Sequence, residues 1–371
     1  MPAHNFVSSQ SAELQQRLND VVLQALLAAD APGAAVALIL DGQPILKAGI
    51  GFRDLQHKAV LDPDALVYIY SVTKPLLATA MLLLVNQGRL ELDTPVQTYL
   101  HDLPLLAPVT VRQLLNHTGG LPDYGGMRAY FDALRADPRH PWTSDKFLQK
   151  TLSRGLKFTP TQGWSYSNIG YLILKRLIER ETNSSMRVAL QELLFRPLSL
   201  QHTFVAQTLS DAQCLTPAYS TFFSPDGSLK DVTHLYHPGW VSHGVVVSTA
   251  SELAGIFEAL FTNQLLSPAL LSSMLDFVHV PGQHPFFTQQ TYGLGLMIDP
   301  QSRYGQIAGH GGEGPGYSTA ALHFPNVAGH RVTSVALANR EQHDLGMRIA
   351  FSLVDVLADF MGHGEGSSPQ L

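Results

Sequence analysis

From Val72 to Asn86 the chain reads VTKPLLATAMLLLVN, apolar on nearly every side of a helical repeat. A helix with no polar face belongs inside a protein, so the rest of the chain must wrap this one. Its most apolar run, Leu76 to Val85, is about half of the roughly 20 residues that a bilayer span needs, so it reads as a buried core helix. Pro75 is tolerated only in the first turn, where the N–H groups have no intrahelical partner. The helix must therefore begin close to Ser71.

What surrounds this helix is bounded by composition. The chain has 371 residues, room for about 2.5 domains and for a core that needs no disulfides. The charged fraction, 15%, excludes a charge-rich disordered chain. The net charge of −6 argues against a nucleic-acid partner, which calls for a basic face. The single cysteine, Cys214, excludes an intramolecular disulfide and a cysteine-based zinc site. The opening MPAHNFVSSQSAEL has no basic n-region and no apolar h-region. A cytoplasmic location is expected for the chain as written, and a periplasmic one if a leader has been removed.

Residues 11–28 read as an amphipathic helix with Ser11 as its cap. Two apolar runs, Ala34 to Leu40 and Pro44 to Gly51, flank Asp41-Gly42, a strong hairpin signal, with Pro44 at an edge or before a late strand start. Short helices are expected over Thr110–Asn116 and Ile169–Arg180, the second with Lys175 and Glu179 as an outward pair. Strand signals return at Tyr304–Gly309, Ser318–Phe324 and Val332–Ala338, before a closing helix over Leu345–Leu357. The economical fold is α+β: one antiparallel sheet from both chain ends, flanked by terminal helices, with a mostly helical domain inserted. The boundaries are 10–71 with 236–360 for the sheet domain and 72–235 for the helical one. Residues 361–371 read as a disordered tail. The cleft between the two domains is the default site.

Three motifs carry chemistry. In Ser71-Val72-Thr73-Lys74, positions i and i+3 share one helix face, with Cβ atoms about 5–6 Å apart. A neutral lysine can act as base for a serine nucleophile, and burial at a helix N-terminus lowers its pKa. The bland alternative is a capping serine and an exposed lysine. In Tyr166-Ser167-Asn168, the phenol becomes a base if positive groups hold it as phenolate, and Asn168 offers an amide to a substrate carbonyl or to Lys74. The alternative is a half-buried Tyr with Asn168 capping the next helix. In His310-Gly311-Gly312, a histidine and two glycines at a strand end allow close approach by a ligand. The alternative there is a plain hairpin turn.

In this order the motifs resemble those of the serine β-lactamase and penicillin-binding-protein family, nearest its class C-like branch, which includes DD-peptidases, D-aminopeptidases and esterases. The resemblance covers about residues 10 to 360. Its spacings of 95 residues from Ser71 to Tyr166 and 144 from Tyr166 to His310 agree, as do LLNHTGGLPDY at 114–124, GWSYSNIGYLIL at 163–174, VVVSTASELA at 245–254 and YGLGL at 292–296. It implies the β-lactamase/transpeptidase fold, with Ser71 as the acylated nucleophile and Lys74 and Tyr166 sharing the acid–base work. It further implies that Asn168 holds the acyl-side amide of the substrate and that His310, Gly311 and Gly312 line the cleft. The backbone N–H groups of Ser71 and Glu313 would form the oxyanion hole.

Class C β-lactamases have Lys-Thr-Gly where this chain has His310-Gly311-Gly312. A mostly neutral histidine and a glycine grip a carboxylate weakly. The expectation is thus a serine hydrolase of esterase or D-amino-acid peptidase/carboxypeptidase type, acting on a small ester, amide or short peptide, with weak β-lactamase activity at most and no cofactor. The alternative is an acylated penicillin-binding sensor or a non-catalytic scaffold. His234, His237 and His243 have loose metal-like spacing without a carboxylate cluster, so no metal is expected. His117 reads as structural. Trp164 and Tyr124 suit either the cleft or the core.

Overall fold

The computed structural model describes residues 3–364. The strand Gly33–Leu40, GAAVALIL, is buried on both faces and therefore lies inside a sheet. It turns back through Asp41 and Gly42, both at positive φ (47° and 84°), into Gln43–Gly51. That strand is the sheet edge, and a bulge after Leu38 absorbs Pro44. The full antiparallel sheet runs, edge to edge, Gln43–Gly51, Gly33–Leu40, His330–Ala338, Tyr317–Val327, Gly305–Gly314, Met297–Ser302, Thr291–Tyr292 and Val278–His279. Ala35 pairs with Leu337 and Ala320 with Ala336, so the two chain ends are stitched through the middle of the sheet.

The helices Ala3–Ala28 and Leu345–Gly364 pack together on one sheet face, where Leu18, Val22 and Leu26 meet Val36, Leu38, Phe324 and Val354. The opposite face takes the helix Ala250–Phe261 and, beyond it, the large core around Thr73–Asn86. In that central helix Leu76, Leu77, Met81, Leu82 and Leu84 are all buried, each contributing about 1.5–3 kcal/mol. Asn168–Thr182 packs beside it. A small sheet of Val67–Tyr68, Val245–Ser248 and Phe204–Ala206 leads the chain from the hairpin into the central helix.

Several expected boundaries shift. The first helix starts at Ala3, so Ser11 lies within it rather than at its start. Ser167, not Asn168, caps the helix after the Tyr166 motif, accepting the Gly170 N–H at 3.3 Å. Glu179 accepts the Met186 N–H at 3.0 Å in place of an outward pair with Lys175. His310-Gly311-Gly312 lies inside the strand Gly305–Gly314 rather than at its end, and the turn falls at Pro315-Gly316. Strand Met297–Ser302 gave no apolar run because it contains Asp299, a buried carboxylate held by the N–H groups of Thr288, Gln289 and Gln301. The closing helix reaches Gly364, so residues 361–364 of the expected disordered tail are helical, and 365–371 lie outside the described residues. No helix among the described residues is long and apolar enough to cross a membrane.

Candidate active site

A tight turn, Tyr70–Val72, precedes the central helix and carries Ser71. Tyr70 sits at φ 45°, an uncommon conformation for a bulky residue, and anchors itself by donating its hydroxyl to Pro315 O at 2.6 Å. The turn lies directly against the strand Gly305–Gly314. A Cβ on Gly312 would fall 2.3 Å from Ile69 O and 3.0 Å from Ser71 N, and one on Gly314 would fall 2.3 Å from the Tyr70 ring. The glycines therefore let a strand backbone run alongside the backbone of Ser71. Thr319 strengthens the junction by donating its hydroxyl to Ile69 O and Gly312 O, each at 3.1 Å.

Around Ser71 three expected side chains meet. Lys74 Nζ lies 3.1 Å from Ser71 Oγ, one helical turn on. The Tyr166 hydroxyl donates to Ser71 Oγ at 2.9 Å. Asn168 Oδ1 accepts from Lys74 Nζ at 2.8 Å. Lys74 has no exposed surface, and burial brings its pKa down to about 7, opposed in part by the charge of Asp123. The helix N-terminus adds positive potential at the same place. Burial also pushes the Tyr166 phenol upward, against the weaker pull of its bond to Ser71. The phenolate considered from sequence is therefore disfavoured, and the phenol is a donor in this state. Its ring lies 4.7 Å from Lys74 Nζ.

His310 is buried beside this group, its Nε2 2.9 Å from the Tyr292 hydroxyl. Burial, then the Lys74 charge, lowers its pKa to about 3, so it is neutral. Glu313 turns its side chain away from the turn, accepting from Asp344 N at 2.5 Å and facing His343 Nδ1 at 3.2 Å. Its backbone follows Gly312 past Ser71. A cavity of about 280 Å³ opens from Ser71, Asn168 and Glu313, walled by aromatic residues including Tyr124, Tyr130, Phe222 and Trp240.

Other residues gained a place that the sequence reading did not give them. Asp123 accepts the Asn168 N–H at 2.8 Å. His243 is buried with Nε2 3.4 Å from Lys74 Nζ. The three histidines with metal-like spacing do not act together: His234 is exposed, and His237 Nδ1 accepts from Gly239 N. His117 is buried, accepts the Ser167 N–H at 3.2 Å and lies tilted against the Tyr166 ring, centroids 4.4 Å apart. Tyr124 serves both wall and core, its hydroxyl accepting from Ser242 N at 3.1 Å, and Trp164 packs edge-on to His117. The signal for Asp123 was present in LPDY at 121–124, but nothing in one sequence says which segment a loop will touch.

An antiparallel sheet flanked by terminal helices, a helical half set against it and a serine at the junction define the β-lactamase/transpeptidase fold. A family model described as Beta-lactamase matches residues 18–356, and the chain belongs to that family. It is 30% identical over 318 residues to penicillin-binding protein 4* of Bacillus subtilis, covering 82% of this chain and 68% of the relative. It is 32% identical over 205 residues to esterase EstB of Burkholderia gladioli, covering 52% of each. The chain thus spans about half to two thirds of the length of these relatives. The solved structure of a D-amino acid amidase from Ochrobactrum anthropi SV3, complexed with D-phenylalanine, superposes with a TM-score of 0.77 at 25% identity, covering 96% of this chain and all of that one.

Proposed function

We propose that this protein is a serine hydrolase that forms an acyl-serine intermediate on an ester, amide or short peptide. The observation that carries the reading is the convergence on Ser71 Oγ of a lysine titrating at about 7 and a phenol hydroxyl, 3.1 and 2.9 Å away. Neutral Lys74 takes the Ser71 proton as Oγ attacks the acyl carbon. The carbonyl electron pair moves onto oxygen, facing the backbone N–H groups of Ser71 and Glu313. As the carbon–leaving-group bond breaks, the Tyr166 phenol protonates the departing atom. The Lys74 proton then restores Tyr166, and water repeats the sequence on the acyl-enzyme. Lys74 and Tyr166 work as a coupled pair, with Lys74 the first base because burial favours both the neutral amine and the neutral phenol. Asn168 presents its remaining amide N–H to the acyl-side carbonyl.

Substrate class follows from what lines the cleft. The position that grips a carboxylate in β-lactamases holds a buried neutral imidazole, which has no positive charge to offer. Esters, and after them D-amino-acid amides and peptides, fit this site better than penicillins, in keeping with the names of the esterase and amidase relatives. We also propose that the site joins two units, 10–71 with 236–360 and 72–235, since Lys74, Tyr166 and Asn168 come from one and His310 and Glu313 from the other. The test is pre-steady-state hydrolysis of a p-nitrophenyl ester. A burst of p-nitrophenol followed by steady turnover, absent in Ser71→Ala, is expected. Equal turnover by that variant refutes the assignment, and a permanent adduct without turnover on any ester or amide identifies an acylated sensor instead.

A further inference from the structure

A neutral amine has two N–H bonds and one lone pair, and Lys74 works as a base only if that lone pair faces Ser71. Lys74 Nζ has three polar neighbours: Ser71 Oγ at 3.1 Å, Asn168 Oδ1 at 2.8 Å and His243 Nε2 at 3.4 Å. With the His243 proton on Nδ1, two N–H bonds directed to the amide oxygen and the bare imidazole Nε2 leave the third direction, the lone pair, for Ser71. This works only if the Asn168 amide shows its oxygen and not its NH2 to the lysine.

Asp123 fixes that choice. A carboxylate only accepts. Its Oδ2 lies 3.3 Å from Asn168 Nδ2, its Oδ1 takes the Asn168 backbone N–H at 2.8 Å, and Gly125 N–H donates to Oδ2 at 3.1 Å. The amide face toward Asp123 must be NH2, and the face toward Lys74 must be oxygen. The Asp123 loop is fastened to the Tyr166 segment by three further bonds: Ser165 N–H to His117 O at 3.1 Å, Ser167 N–H to His117 Nδ1 at 3.2 Å and Ser167 hydroxyl to Pro122 O at 2.8 Å. On the other side, His243 is pinned by the chain entering Val245–Ser248, where Ser242 N–H donates to the Tyr124 hydroxyl. We propose, resting on the reading of Lys74 as base, that Asp123 (through Asn168) and His243 are positioning residues that aim the Lys74 lone pair at Ser71.

The charges around the amine make the idea measurable. Lys74 is faced by the rings of Tyr166 and Tyr171, at 4.7 and 5.3 Å, and by the imidazoles of His117, His243 and His310, which burial and the Lys74 charge keep neutral. Asp123 is the carboxylate that holds the Lys74 proton on. Its removal moves the acidic limb of activity to lower pH, a shift that a purely structural role would not produce.

The experiment measures kcat and KM for p-nitrophenyl acetate across pH 5 to 9, with melting temperatures alongside. Asp123→Asn is expected to lower kcat about 100-fold, the loss that a misaimed group brings, with KM little changed and the acidic limb displaced downward. His243→Leu is expected to lower kcat at least tenfold, and His243→Gln, which keeps an acceptor, to restore most of it. Parent-like kcat in a folded Asp123→Asn or His243→Leu overturns the proposal. Should Asp123→Asn fail to fold, the His243 pair decides, and equal activity of Gln and Leu overturns it. Ser71→Ala is measured in parallel. If it still turns over, the reading of the site has failed. If it is inactive while Asp123→Asn matches the parent, only the aiming device has failed.

Discussion

Replacing Lys74 by Met separates the burden that this amine places on folding from its use in chemistry. In the folded protein its pKa is about 7, against 10.5 in its ordinary state. At about 1.4 kcal/mol per unit, burying the ammonium costs on the order of 5 kcal/mol. Below pH 7 lysine is protonated in both the folded and unfolded chains, so that cost is fully present. Between pH 7 and 10.5 the unfolded chain binds the proton and the folded one does not, so stability rises with pH, by about 1.4 kcal/mol per unit. Above 10.5 both are neutral and the cost is gone. Lys74→Met fills the same space without a charge. Urea unfolding at pH 6.5 and pH 9, on parent and variant, cancels what every other group contributes. The parent should gain about 3 kcal/mol relative to Lys74→Met between those two values, and the variant should be the more stable at pH 6.5. Parallel stability–pH curves for the two proteins would mean that Lys74 is charged when buried, and its use as a base in the resting enzyme would fall.

Three further outcomes follow from the same geometry. Tyr166→Phe removes the hydroxyl 2.9 Å from Ser71 Oγ, so kcat/KM for p-nitrophenyl acetate should drop about 10²–10⁴-fold while circular dichroism stays that of the parent. Gly312→Ala places a methyl 2.3 Å from Ile69 O and 2.6 Å from Thr319 Oγ1. It should lower stability by about 1–3 kcal/mol and displace the turn that carries Ser71, read as a lower melting temperature with a larger loss of kcat. Nitrocefin should be a poor substrate, because the buried imidazole of His310 carries no charge at neutral pH; kcat/KM above about 10⁶ M⁻¹s⁻¹ would contradict this.

Much of this arrangement was written in local sequence. Pro75 and the unbroken apolar run dictated a buried helix starting beside Ser71, and the structure begins that helix at Thr73, directly after the serine's turn. Asp41-Gly42 dictated the hairpin. What stayed hidden depends on contacts between distant segments. His310-Gly311-Gly312 reads as a strand end because glycine weakens strand patterns, yet the bare Gly312 makes room for the Ser71 turn, while Gly311 faces Met347 on the other side of the sheet. Asp123 and His243 lie 49 and 169 residues from Lys74 in the chain, and neither forms a motif with it. The direction of the Tyr166 shift depends on burial, which one sequence does not display. Asp299 broke the apolar pattern of its strand because its partners are backbone N–H groups, which leave no trace in residue type.

Whether Ser71 carries the acyl group is decided by mass spectrometry of protein quenched during turnover of a slow ester or after a fluorophosphonate. A single adduct on the peptide containing Ser71, absent from Ser71→Ala, is expected. An adduct on any other residue, or an unmodified Ser71 peptide in enzyme whose activity the fluorophosphonate has abolished, would contradict it.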